Sequence, residues 1–463
     1  MVLVFTFPEN ALDAGVFAMQ RVVAVLVVLY AFAVPWEYAL ELGEPVGNIA
    51  RLVGLVLLAG AIPAALARKG LRTPGRMQWL TLALFLYFAA SCLWSIEPAE
   101  TLIKMRAYFQ VMAIVWVAWE FVETADDLRN LLRALVAGCW VLAVLTLVNF
   151  SSVSSAVVAE QTRFVAEGQD PNDVARFLDL GFPVAALLFA TDGRRVVRWL
   201  ALGYLPVGLL AVVLTASRGG FVASLAALVC VLFLIARWRP VAALSATVGL
   251  TVAASVSLFF VPVDTYARLA TIPEQFASAD FNNRFNIWES GWAAFRHAPW
   301  LGYGAGNFSL AAGLSAEDTA HNTLMAVLVM GGLVGGALLA GVVVSAAQKA
   351  LRAEGLLRIA MVSSLVVWGI TSSVGSVEEN RMTWLVFAWI GVAGRIAGIE
   401  RERTGLGTGL ETGLESGLGT LVDGWAGWRA GGLTRQSGRG RLAGALRSGS
   451  VRTGSVHTGS AGV

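Results

Sequence analysis

The sequence predicts an all-α integral membrane protein of about twelve transmembrane helices, and three observations carry that prediction. Of 463 residues, 57% are hydrophobic and only 14% charged, with mean hydropathy +0.69; soluble domains are about half apolar and a quarter charged. Apolar runs of roughly 17–25 residues, enough helix to cross about 30 Å of hydrocarbon, recur along the chain. Lys and Arg collect in every second gap between those runs. The formal net charge is only +3, and no nucleic-acid partner is expected.

The runs lie near 15–35, 46–67, 77–95, 107–122, 132–150, 174–191, 199–216, 220–236, 241–261, 321–347, 359–376 and 382–398. The basic gaps hold Arg68, Lys69, Arg72 and Arg76; Arg129 and Arg133; Arg194, Arg195 and Arg198; Arg237 and Arg239; and Lys349, Arg352 and Arg358. Such gaps face the cytoplasm, which puts both termini on that side, as an even number of spans requires. Arg21 precedes an apolar run with no small-residue cleavage site after it, so the first span is expected to stay uncleaved.

Against that frame the basic residues of the outer gaps stand out: Lys104, Arg106, Arg163, Arg176, Arg218, Arg268, Arg284, Arg296 and Arg381. Topology gives no reason for them, and together they suggest a polyanionic ligand. Arg218 is the sharpest case, set in Ser217-Arg218-Gly219-Gly220 at a short outer connection whose small neighbours admit a ligand or a second backbone. Between the ninth and tenth spans an outer loop, 261–321, contains a polar, Trp-rich island from Phe281 to Thr323. Ionisable residues embedded in a membrane protein mark functional sites by default. Within it the stretch Asn283 to His297, with Arg284, Trp288, Trp292 and Phe295 at helical spacing, reads as an amphipathic helix at the interface, its Trp residues anchoring it. Gly302, Gly304 and Gly306 follow a Pro turn without the context of a nucleotide loop, and read as a flexible turn.

Arg284 and Trp288, then Pro299-Trp300-Leu301-Gly302-Tyr303-Gly304-Ala305-Gly306-Asn307-Phe308, then His321-Asn322 opening a long apolar span, together with Ser217-Arg218-Gly219-Gly220, resemble the bacterial O-antigen ligase and polymerase superfamily. The resemblance covers Asp170 to Arg381. It implies a glycosyltransferase of the bacterial inner membrane that moves a glycan from undecaprenyl pyrophosphate to an acceptor hydroxyl, of lipid A–core or a similar glycan or protein, on the periplasmic face without cofactor or metal.

The residue types suit that chemistry. Breaking a sugar–pyrophosphate bond develops negative charge that fixed guanidinium groups stabilise, which nominates Arg218 and Arg284. The acceptor hydroxyl must lose a proton, and His is suited to take it near neutral pH. Of His297, His321 and His457, only His321 heads a span at the outer interface, with Asp318 or Glu317 available to fix its tautomer should the helix begin early. Asn172, Arg176, Trp288, Asn322 and Arg381 are the expected substrate-binding residues. Asp170-Pro171-Asn172-Asp173 also reads as an ordinary helix start, Asp170 capping and Pro171 in the first turn. Glu378-Glu379-Asn380-Arg381 opens the last span.

Cys92, Cys139 and Cys230 have neither metal nor disulfide spacing. Residues 401–463, rich in Gly, Ser and Arg, read as a disordered cytoplasmic tail beside the membrane domain 1–400, its Arg residues near membrane lipid. Three readings compete, a ligase, a polymerase and, as a variant of the first, a protein oligosaccharyltransferase, and a secondary transporter stands as a fourth from another class. One large outer loop, with only a modest second one near 151–173, favours the ligase over the polymerase, while a transporter would gather its charges at the bilayer midplane.

Overall fold

A computed structural model of the protein describes residues 9–43, 47–68, 70–152, 163–278, 284–316 and 318–404. These are α-helical apart from two short 3-10 turns and one isolated bridge. In chain order the helices are α1 (Glu9–Ala33), α2 (Ile49–Leu66), α3 (Arg76–Ala90), α4 (Pro98–Phe121), α5 (Ala125–Ser152), α6 (Pro171–Thr191), α7 (Arg195–Thr215), α8 (Arg218–Trp238), α9 (Pro240–Phe260), α10 (Val263–Ala270), α11 (Ile272–Ser278), α12 (Arg284–His297), α13 (Phe308–Ala311), α14 (Thr323–Arg352), α15 (Gly355–Ser373) and α16 (Arg381–Thr404). Among them twelve are long and apolar enough to cross a membrane, and they coincide with the twelve runs expected from the sequence. The chain divides into two units, Met1–Gly409 and Leu410–Val463. Residues 401–404, expected in the tail, continue α16; the rest of the tail lies outside the described residues, as does the second outer-loop stretch 153–162.

The bundle is organised around α6, buried over 94% of its apolar window and packed against α5, α7, α8 and α15. Its start is as read from sequence: Asp170 Oδ1 accepts from the amides of Asn172 (2.8 Å) and Asp173 (3.3 Å), and Pro171 occupies the first turn, where its missing N–H costs nothing. Helix α7 ends on Ala216 in the left-handed region, φ 47°. Ser217 then caps α8 by accepting from Gly220 N at 3.2 Å. The two glycines that follow are steric necessities. A Cβ on Gly219 would sit 2.6 Å from Val374 Cγ2, and one on Gly220 2.3 Å from Ala175 Cβ, so glycine lets α8 close on both α15 and α6.

Helix α14 departs from the sequence expectation of an uninterrupted span. At Gly332 the backbone turns to φ 59°, ψ −160°, and the freed amide and carbonyl groups are taken up by Pro299–Gly304. Tyr303 N and Gly304 N donate to the carbonyls of Val329 (3.0 Å) and Met330 (2.9 Å), while Leu333 N donates to Pro299 O (2.7 Å). A break at membrane depth is tolerated when protein re-satisfies the backbone in this way. The glycine series is therefore not a flexible turn. Its residues have φ of 69°, 92° and 84°, and a Cβ on Gly302 or Gly304 would lie about 2.5 Å from Met330 or 2.6 Å from Ser95. Tyr87 OH closes the joint, donating to Gly331 O at 2.7 Å and lying 3.0 Å from Leu301 O.

Candidate active site

The outer-gap ends of α6, α8, α14 and α15 meet α10, α11 and α12 around a cavity of about 390 Å³. Its wall includes Asn172, Arg176, Arg218, Arg284, Trp288 and Asn322, so six of the eight residues nominated from sequence converge there. It opens at the end of the bundle opposite the basic gaps. Arg268, Ser217, Gln275, Thr371 and Ser373 complete its polar lining.

The arginines are held mainly by main-chain carbonyls. Arg218 Nε donates to Arg268 O (3.1 Å), and Arg268 Nε donates back to Ala216 O (3.2 Å). Arg163 Nε donates to Thr215 O (3.1 Å) while its Nη2 reaches Asn172 Oδ1 (3.1 Å). Arg176 is paired with Asp173 at 2.7 Å. A guanidinium anchored through Nε to a neutral carbonyl keeps its full charge and directs its terminal nitrogens elsewhere. Burial, and then the like charge of Arg268, holds Arg163 below the usual guanidinium range. Burial does the same for Arg284, with Arg218 adding to it and Asp170 opposing.

His321 sits beside the cavity, half-buried, with φ 45°. Among the described residues it and Ala216 are the two non-glycine residues with positive φ, and both border the arginines. Such strain persists only where the surroundings over-determine it. Here Trp288 Nε1 grips the preceding carbonyl, Ala320 O, at 2.9 Å. The following residue, Asn322, caps α14 through Met325 N (2.9 Å) and donates to Ser373 O (3.1 Å). Thr323 Oγ1 adds a bond to Gly375 O at 2.8 Å. Among the described residues the imidazole's hydrogen-bond neighbour is Thr319 Oγ1, 3.4 Å from Nδ1, while Asp318 Oδ2 accepts from Ser315 Oγ at 2.8 Å and Glu317 lies outside the described residues. Burial, followed by the charge of Arg284, lowers the imidazole pKa from its ordinary value.

Several sequence-based roles shift with this geometry. Trp288 acts as a strut to the His321 turn, and α12 buries Ile287, Gly291, Ala294 and Phe295 while Trp292 is exposed. Asn172 joins Arg163 to Ser217 Oγ, its Oδ1 accepting from the latter at 2.9 Å. Arg381 lies away from the cavity, paired with buried Glu37 at 2.5 Å, and Lys104 is paired with Glu379 at 3.0 Å. Arg163 and Arg268 read from sequence only as two outer cations among nine. Their convergence with Arg218 depends on the Ala216 turn and on α10, which no motif announces. Among the described residues no group of three or more His, Cys, Asp or Glu forms a metal-ligand cluster.

Twelve candidate spans with an arginine-lined cavity closed over by a helical loop define a polytopic membrane protein with a cationic cavity at one end of its bundle. Residues 204–340 match the family model described as O-Antigen ligase, which supports a place for the chain in the O-antigen ligase superfamily, a family of ligase- and glycosyltransferase-like proteins. The match takes in Arg218, Arg284, Trp288, His321 and Asn322; Asn172, Arg176 and Arg381 fall outside it. No curated protein matches the chain.

Proposed function

We propose that the protein is an O-antigen ligase-like glycosyltransferase that moves a glycan from undecaprenyl pyrophosphate to an acceptor hydroxyl, such as one on lipid A–core, at the periplasmic face of the inner membrane. The observation that carries the reading is the convergence of Arg176, Arg218, Arg268 and Arg284 on one cavity next to a half-buried histidine held in a strained turn. The acceptor oxygen attacks the anomeric carbon, the carbon–oxygen bond to the pyrophosphate breaks, and the acceptor proton passes to His321. If Nδ1–H donates to Thr319 Oγ1, Nε2 carries the lone pair that receives it. The charge developing on the departing pyrophosphate falls on Arg218 and Arg284, whose planar forks match phosphate oxygens. Arg176 and Arg268 share in holding the donor, and Asn322 and Trp288 fix the base; Arg381 acts at a distance through Glu37. The proposed chemistry requires neither metal nor cofactor. Cationic groups at the helix ends support transfer at an interface more than transport through a midplane site.

The test is transfer from purified lipid-linked donor to acceptor in detergent, with donor binding measured for each variant. His321→Ala should keep donor binding while transfer falls by a factor on the order of 100 or more. Arg218→Ala and Arg284→Ala should weaken both, and Lys at either position should rescue poorly. Near-normal turnover by a folded His321→Ala protein would return that residue to a structural role.

A further inference from the structure

At the opposite end of the bundle the cations do not balance. Arg68, Arg72, Lys349, Arg352 and Arg395 gather near the ends of α2, α3, α4, α14 and α16, facing Glu120 and Glu123. Both carboxylates are already engaged. Arg68 binds Glu120 at 2.9 Å and Glu123 at 2.8 Å, and Arg72 N donates to Glu120 Oε2 at 3.0 Å. Trp119 lies at the centre, buried, its Nε1 tied to Thr73 O at 3.2 Å. Lys349 Nζ stands 5.0 Å from the centre of its ring and Arg395 Cζ 5.2 Å. Two cations thus share one indole and repel one another.

Arg395 uses Nη2 on Val122 O, yet its Nε and Nη1 are shielded from solvent and have no hydrogen-bond partner; Arg72 Nε is in the same position. Among the described residues no carboxylate comes within ion-pair distance of Lys349 or Arg395. A shielded guanidinium edge without an acceptor costs as much as a lost charged hydrogen bond, so an added acceptor at this cluster is favoured. The needed partner is anionic, offers several oxygens and reaches the cytoplasmic end of the spans. Basic pockets between helices at that depth take up phosphate-bearing headgroups.

We propose that Lys349, Arg395 and Arg72 form a binding site for one phosphate group, supplied by the headgroup of an anionic phospholipid, with Trp119 as the platform that holds the two long side chains ready. The site is independent of the transfer chemistry and lies on the other side of the membrane from it.

The test uses the full-length protein, purified and progressively delipidated, with phosphatidylglycerol, phosphatidylcholine and inorganic phosphate as probes and native mass spectrometry as the readout. One phosphatidylglycerol should persist per chain after other lipids are gone. Retention should fall about tenfold in Arg395→Gln or Lys349→Gln, the scale of one charge-assisted hydrogen bond, but stay unchanged in Arg194→Gln plus Arg195→Gln at a different basic gap. Inorganic phosphate protecting the protein as well as the lipid would keep the anion site and assign it to free phosphate. Thermal melting adds a separate reading: without lipid, Arg395→Gln should melt no lower than the parent, because it removes an uncompensated cation, whereas a purely structural arginine would lower the melting temperature. Equal lipid retention by Arg395→Gln and the Arg194/Arg195 control, or equal retention of phosphatidylcholine, would overturn the proposal.

Discussion

His321 carries a burden that its residue type alone does not reveal. Its pKa is lowered by burial first and by Arg284 second, so it stays unprotonated to lower pH than a free imidazole. A general base of this kind should give a pH–rate profile whose acid limb falls below the ordinary imidazole range of about 6.5. Removing the second cause, by Arg284→Gln, should move that limb upward in whatever residual activity remains. An acid limb that ignores the charge at position 284 would detach the histidine from the arginine. Glu378, in the turn before α16, shifts the other way: burial, then Glu379, pushes its carboxyl up to about 8, and Oε2 has no partner. Because the folded value exceeds the unfolded one, the stability it contributes is complete below the unfolded pKa and is lost as pH rises through about 8. Glu378→Gln should therefore raise the melting temperature relative to the parent at about pH 9, less so at about pH 6, and change it little at about pH 4; the reverse order would show that the carboxylate is compensated.

At the scale of elements, much was legible before the structure. The Asp170-Pro171 start of α6, the Arg284–His297 helix and the twelve spans all follow from capping chemistry and apolar length, which are local. What was not legible depends on distant partners. The break at Gly332 leaves no mark in hydropathy, because Gly331 and Gly332 sit within an apolar run and their tolerance comes from Pro299–Gly304 some thirty residues earlier. The same gap hid the rigidity of the glycine series and the placement of Arg163 and Arg268. Gly332→Ala tests the joint. Its Cβ would lie 2.3 Å from Trp300 O at φ 59°, so the protein should lose on the order of 2 kcal/mol or more of stability, read as a lower melting temperature in detergent, whereas Gly369→Ala, with nothing within 4 Å, should be neutral or slightly stabilising. Equal melting of the two variants would mean that the joint is not a fixed part of the fold.

For the whole molecule, the alternation of basic gaps predicts which end of the bundle faces which compartment. Cysteine labelling should find 262–320 accessible from the periplasm and 348–358 from the cytoplasm, and truncation after about Arg403 should leave transfer intact, since every candidate catalytic group lies at the other end. Labelling of the Arg284 loop from the cytoplasm would remove the proposed function, because the lipid-linked glycan would then be out of reach.

Tyr87, near the end of α3, finds its side-chain acceptors at Leu301 and Gly331, and Ser91 Oγ, which donates locally to Phe88 O, accepts from Ala305 N, between 214 and 244 residues further along the chain. At translation rates of about 5–20 residues per second, that end of α3 waits on the order of ten seconds or more in the membrane before the groups it needs have been made. The outer joint, and with it the setting of His321, is therefore among the last parts of the protein to exist. On the proposed function, a nascent chain whose tenth span has yet to be inserted can display Arg218 but has no base held beside it, and so should not act on its substrate before that joint is made.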